Sequence, residues 1–228
     1  MFHVEHSKDI SVLTDFLRAQ DISFSQQQIQ QLYTYKSLII EWNQKINLIS
    51  KSDIHKIVER HFLPSFWFAY YIQTRRDGNV LNILDLGTGS GMPGIVLAIC
   101  FPHISITLLD SSRKKTLFVR KVVEELNLNA SVIGDRIENQ SRTLKNKFHL
   151  ATARAVASIP NLIHWLHPVL IKKGRILTLK GINYREELSD EELDRRWAIK
   201  PIPVSRDWLN FSDYLKNKFM IEMEKMYD

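Results

Sequence analysis

A chain of 228 residues can bury one sizeable core, or one core with a small appendage, which excludes two full domains. With 44% hydrophobic and 25% charged residues its composition is that of an ordinary globular protein, and its single cysteine, Cys100, excludes an intrachain disulfide and a thiolate metal cage. The net charge of +6 inclines the chain toward polyanions, with Arg113, Lys114, Lys115, Arg120 and Lys121 in one cluster and Lys172, Lys173 and Arg175 in another.

The opening residues, MFHVEHSKDI, carry acids and histidines where a secretory signal needs a basic start and an apolar run. No apolar stretch is long enough to span a bilayer, so a cytoplasmic location with no membrane partner is expected. Residues 8 to 75 read as helical: Leu13, Phe16 and Leu17, then Leu32, Tyr35, Leu38, Ile39 and Trp42, recur at three- and four-residue steps. A polar stretch with glycine, TRRDGN (Thr74 to Asn79), reads as a linker, which divides the chain into an N-terminal helical segment, 1–75, and a second unit, 76–228.

From Val80 the pattern changes to short apolar runs separated by helical stretches: VLNILDL, ISITLLD, ASVIG, FHLATA and RILTLK. Strands alternating with helices predict an α/β domain built on a Rossmann-like parallel sheet covered on both faces. The glycine-rich NILDLGTGSGMPG (Asn82 to Gly94) lies between the first strand and the next helix, which Pro93 can help to start. In such sheets ligands lie beyond the carboxyl ends of the strands, which gathers Asp85, Gly87 and Asp110 around one crevice.

The loop can be parsed in two ways. Gly89, Gly91 and Gly94 form a literal G-x-G-x-x-G, the pattern of a dinucleotide site. Read from Asp85 it is an acid followed by Gly87, Gly89 and Gly91, and a fixed carboxylate there repels a pyrophosphate and welcomes a cation. S-adenosylmethionine meets that description, and Asp110 at the end of the second strand suits the ribose hydroxyls of either cofactor. Three classes stay open on these residues: a methyltransferase, a nicotinamide-dependent oxidoreductase, and a non-catalytic RNA-binding protein with a Rossmann fold.

Motifs along the chain narrow the choice. EWNQKINLIS (Glu41 to Ser50), ERHFLPS (Glu59 to Ser65), LDLGTGSGMPGIVLA (Leu84 to Ala98), LLDSSRKK (Leu108 to Lys115), GDRIE (Gly134 to Glu138), ARAVAS (Ala153 to Ser158) and LKG (Leu179 to Gly181) follow one another in an order that resembles the RsmG family, also called GidB. These are bacterial enzymes that methylate N7 of a guanine in 16S ribosomal RNA. The resemblance implies a class I S-adenosylmethionine-dependent fold with an N-terminal helical extension, and the 16S RNA or a small-subunit assembly particle as partner. Carried over, the cofactor contacts fall on Gly87 and Met92, on Ile137 and Glu138, and on Arg154, beside Asp85, Gly89 and Asp110 from the loop reading.

Arg154 is expected to meet the cofactor carboxylate or an RNA phosphate and so to position the reactants. Arg113, Lys114 and Lys115 are expected at RNA phosphates. The chain departs from the family at Pro64, where an acid is usual after Arg60 and His61. His61 itself is expected to be structural. Guanine N7 has a free lone pair and no proton to lose, so no general base is nominated. HWLH (His164 to His167) lacks an acid or cysteine beside it, and no metal is expected. Trp42, Trp67, Trp165 and Trp208 are the candidate platforms for an unstacked base.

Overall fold

The computed structural model describes residues 9–75, 82–188 and 196–227. Most of the predicted linker and the start of VLNILDL therefore lie outside the described residues.

The N-terminal segment forms α1 (Ile10–Arg18), α2 (Gln26–Trp42), a 3-10 turn (Lys51–Lys56), a π-helical turn (Val58–Phe62) and α3 (Leu63–Thr74). A capping box starts α2: the Ser25 hydroxyl accepts from the Gln28 N–H, and the Gln28 side chain accepts from the Ser25 N–H. The first seven residues of α3, LPSFWFA, are all buried, as befits a helix that is apolar all round.

Seven strands follow among the described residues: β1 (Asn82–Leu86), β2 (Ser105–Leu109), β3 (Ala130–Ile133), β4 (Phe148–Arg154), β5 (Leu170–Lys180), β6 (Trp197–Pro203) and β7 (Phe219–Lys225). The intervening helices are α4 (Gly94–Cys100), α5 (Arg113–Glu125), α6 (Ile137–Gln140), α7 (Ile159–Leu166), α8 (Tyr184–Leu188) and α9 (Arg206–Phe211), with a 3-10 turn at Asp213–Leu215. They make one sheet in the order β3-β2-β1-β4-β5-β7-β6. The five strands read from the sequence pair in parallel, with β1 between β2 and β4. At the far edge lie two strands that the sequence reading did not assign: β7 runs antiparallel to both β5 and β6. Pro201 and Pro203 make β6 a poor pattern for a strand, and a sheet edge is where proline is tolerated.

The order reverses between β1 and β4, and the crevice at that switch point lies at the carboxyl ends of the strands. One apolar cluster joins α1, α2 and α3 to α4, α5 and one face of the sheet through Leu32, Tyr35, Phe66, Ile95 and Phe118. A second cluster packs α7 on the opposite face through Ile159, Leu162 and Leu166. Fully burying one such Leu, Ile or Phe contributes about 1.5–3 kcal/mol. The glycine loop is thus gripped from both sides.

Candidate active site

Asp85 is the knot of the glycine loop. It sits near the end of β1 with 0% exposure. Its Oδ2 accepts from the Thr88 hydroxyl at 2.6 Å and the Gly94 N–H at 3.0 Å, and its Oδ1 accepts from the Thr152 hydroxyl on β4 at 2.7 Å. Burial pushes its carboxyl up to about 6 against the pull of those three hydrogen bonds. The expectation that Asp85 faces a cationic ligand is therefore corrected: the side chain is fully buried, outside the cleft lining, and its oxygens bind loop, helix and neighbouring strand together.

The same bonds bear on the competing parse of the loop. A pyrophosphate needs the loop and helix N–H groups. Here the Gly94 N–H goes to Asp85, the Gly91 N–H to the Thr88 carbonyl at 2.8 Å, and the Gly89 N–H to Asp110 Oδ2 at 2.8 Å. Together Asp85, the Thr88 carbonyl and Asp110 disfavour a dinucleotide by occupying these donors. Gly94 must lack a side chain, since a Cβ there would fall 2.2 Å from Leu108 and 2.7 Å from Asp85 Oδ2.

Beyond the strand ends lies a cleft of about 300 Å³. Its walls are Leu86, Gly87, Leu109, Asp110, Ser111, Lys115, Asp135, Arg136, Ile137, Glu138, Ala155, Val156 and Trp165. Of the sequence-predicted residues it brings together Gly87, Asp110, Ile137 and Glu138. Gly87 takes φ +63°, and a Cβ on it would meet Val156 at 2.6 Å, so the backbone forms the floor where a ligand passes closely. Asp110, only 8% exposed, is held by the N–H groups of Gly89 and Ser112, each at 2.8 Å. The volume, the apolar walls and the three carboxylates of Asp110, Asp135 and Glu138 suit an uncharged nucleoside joined to a cationic tail, which fits S-adenosylmethionine.

Four expectations are revised. Met92 is 3% exposed and packs into the core rather than the cleft. Gly89 holds Asp110 in place and does not line the cleft. Lys115, expected on RNA, lines the cleft, whereas Arg113 and Lys114 are exposed on the first turn of α5. Arg154 is outside the lining and turns toward the N-terminal segment.

There Arg154 Nη2 lies 3.0 Å from His61 Nδ1, and Nη1 donates to the Arg60 carbonyl at 3.3 Å. His61 Nε2 meets Asp53 Oδ2 at 3.2 Å, and Arg60 pairs with the other Asp53 oxygen. Pro64 accounts for part of this arrangement. It sits in the first turn of α3 and has no N–H to return to the carbonyl of Arg60 four residues earlier, and that carbonyl receives Arg154 instead. Burial, then the Arg154 charge, pushes His61 down to about 4, so the ring is neutral at pH 7.

The tryptophans do not offer an open platform. Trp67 and Trp208 are buried, Trp42 packs against Phe118, and Trp165 lines the cleft. Trp165, expected only as a platform for the base, and Val156, within ARAVAS, are contributions to the cofactor cleft that the sequence reading did not assign. Among the described residues no group of three or more His, Cys, Asp or Glu could hold a metal ion, and no helix is long and apolar enough to cross a membrane.

Comparison with known proteins places this architecture. The family profile described as "GidB: rRNA small subunit methyltransferase G" matches residues 28–204. The chain belongs to the GidB family. Ribosomal RNA small subunit methyltransferase G of Bacillus subtilis (strain 168) is 35% identical over 185 residues, covering 79% of this chain and 76% of that protein. The protein of the same name from Acetivibrio thermocellus is 34% identical over 204 residues, with 88% and 83% covered. Among solved structures, a putative O-methyltransferase from Klebsiella pneumoniae aligns with a TM-score of 0.60 at 12% identity, covering 95% of this chain and 96% of that one. The plantazolicin methyltransferase BpumL in complex with SAH aligns at 0.58 with 17% identity, covering 87% and 97%. In this GidB chain the fold is therefore the class I methyltransferase fold with added N-terminal helices.

Proposed function

We propose that this GidB chain is an S-adenosylmethionine-dependent methyltransferase that modifies N7 of a guanine in 16S ribosomal RNA. The observation that carries the choice of cofactor is the closed set of loop hydrogen bonds, in which the N–H groups of Gly89, Gly91 and Gly94 are engaged internally while the cleft beside them presents carboxylates. Family membership carries the substrate class. The alternatives, a nicotinamide-dependent oxidoreductase and a non-catalytic RNA-binding protein, have no such support.

S-adenosylmethionine, when bound, supplies an electrophilic methyl group. Of the residues lining the cleft, Asp110 would accept from the ribose hydroxyls, Ile137 and Trp165 would face the adenine, and Glu138 would meet its amine edge. Because Asp85 is buried away from the cleft and tied to three internal donors, it acts on the cofactor through the loop rather than by contact. A ring nitrogen with a free lone pair needs no base, so the protein's contribution is alignment, which can supply roughly 7–11 kcal/mol of barrier reduction in favourable systems. Arg154 serves alignment indirectly, by tying the end of β4 to the π-helical turn.

The 16S RNA, naked or within an assembly particle, is the partner this reading requires, and the cytoplasm is where it is found. Arg113 and Lys114 support an RNA contact, since cations in the first turn of α5 oppose the helix dipole and gain from an outside anion. Residues 1–75 are read as a helical segment packed on a methyltransferase domain, 76–228, which the shared core supports. Calorimetry with S-adenosylmethionine and with NADH tests the cofactor: heat is expected with the first alone. Methyl mapping of 16S RNA from a deletion strain should show one guanine lacking its N7 methyl group, and an unchanged methylation pattern would overturn the reading.

A further inference from the structure

A second recess, of about 430 Å³, opens between the π-helical turn and the C-terminal 3-10 turn, lined by Lys56, Glu59, Arg60, Ser212, Asp213 and Tyr214. It adjoins the end of β4, since Arg154 donates to the carbonyl of Arg60, which lines this recess, while the next residue, Ala155, lines the cofactor cleft. Tyr214 is 37% exposed, unlike Trp67 and Trp208, and its neighbour Asp213 is exposed as well. The Ser212 hydroxyl accepts from the Tyr214 N–H at 3.2 Å and fixes the turn that presents both. Two cations attend the ring, Arg60 at 5.9 Å and Lys218 at 5.8 Å from its centre. Arg60 is also paired with Asp53 and keeps further N–H donors for a phosphate, while for Lys218 the pull of the ring at that distance is weak and a phosphate is the stronger partner.

An aromatic face, a carboxylate beside it and two nearby cations are the components that a purine nucleotide calls for. The carboxylate selects the base. Guanine offers two adjacent donors on its Watson–Crick edge, N1–H and the 2-amino group, which a carboxylate can accept together, whereas adenine offers an acceptor at N1. Held by that edge, guanine turns N7 to the opposite side. We propose that this recess takes the guanine to be methylated, stacked on Tyr214 with its N1–H and amino group donating to Asp213, while Arg60 and Lys218 meet the flanking phosphates. The proposal rests on the reading of the chain as an RNA guanine-N7 methyltransferase and adds the residues that select the base.

The test uses the full-length protein with a 16S RNA substrate carrying guanine or inosine at the methylated position; inosine keeps N1–H and N7 but lacks the amino group. Tyr214→Ala should raise KM for RNA about tenfold or more, in the range that base–aromatic stacking supplies, with S-adenosylmethionine affinity by calorimetry within twofold. Tyr214→Phe, which keeps the ring, should restore it. Asp213→Asn should bring the guanine-to-inosine ratio of kcat/KM from several-fold toward one. Wild-type selectivity retained by Asp213→Asn, or an unchanged KM in Tyr214→Ala, would overturn the proposal and leave the function standing. If the wild-type protein transferred no methyl group to the RNA, the functional reading would fail first.

Discussion

Arg154 Nη2 and His61 Nδ1 stand 3.0 Å apart, joining the end of β4 to the π-helical turn. The guanidinium can only donate, so Nδ1 must be the accepting nitrogen, and Nε2 must carry the proton that goes to Asp53 Oδ2. One neutral tautomer satisfies both partners. Protonating the ring would place a second positive charge against Arg154.

This sets the sign of a pH dependence. With a folded value of about 4 and an unfolded one of about 6.5, the unfolded state binds more protons between these limits. The stability His61 contributes is complete above about pH 6.5 and is lost as pH falls through about 4. Asp85, raised to about 6, works the other way in an overlapping window, its contribution being lost as pH rises. Comparing wild type with His61→Gln cancels the Asp85 effect. The stability difference from urea unfolding should shrink by up to about 3 kcal/mol between pH 6.5 and 4; a difference that stays constant would show that His61 titrates normally.

Asp85→Ala should impair folding as well as cofactor binding. Three buried donors, from Thr88, Thr152 and Gly94, would lose their acceptor. Each orphaned donor costs about 1–3 kcal/mol, and relaxation of the two hydroxyls brings the sum to about 3 kcal/mol. For a chain of this size that lowers Tm by roughly 6–12 °C, measurable by calorimetry without ligand. An unchanged Tm would mean that the carboxylate is not the tie it is taken to be.

Gly87→Ala should weaken cofactor binding and, through backbone strain and the contact with Val156, lower stability as well. The added Cβ combines a left-handed φ of +63° with a 2.6 Å approach to Val156 Cγ2, and both Gly87 and Val156 border the cleft. S-adenosylmethionine affinity is expected to fall at least tenfold, about 1.4 kcal/mol. Titration calorimetry showing wild-type affinity would place the ligand elsewhere.

The basic cluster after Asp110 should split. Arg113→Ala with Lys114→Ala should weaken RNA binding and lower the salt slope by about 2, one for each phosphate contact, with cofactor affinity intact. Lys115→Ala, at the cleft wall, should alter cofactor affinity. If all three changed only the salt slope, the position of Lys115 would carry no weight.

Five of the strands, and Gly87 and Asp110 after the first two, were legible in the sequence because these signals are local, whereas Ile137 and Glu138 were named only through the family resemblance. What escaped depends on distant partners. Asp85 reads as a ligand acid until Thr152, from β4, is found beside it. Met92 reads as a loop residue until the helices close over it. Strand β6, carrying two prolines at the sheet edge, has no strand pattern to read, and Tyr214 lies on a short turn where no periodicity marks an exposed ring.

One bond reaches farther than its length suggests. The hydroxyl of Tyr35, buried on α2, donates to the Ser90 carbonyl at 2.7 Å, and a Cβ on Gly91 would come within 2.7 Å of that hydroxyl. A helix near the start of the chain thus fixes the curvature of a loop that is encoded much later. Whatever steadies the loop must then also steady the helix, by thermodynamic reciprocity. Cofactor binding should slow amide hydrogen exchange along α2 at a distance from the cleft, and Tyr35→Phe should uncouple the two while leaving both folded. The helical segment is in that sense the back wall of the cofactor loop, so the loop cannot take its working shape before residues from both ends of the fold have met.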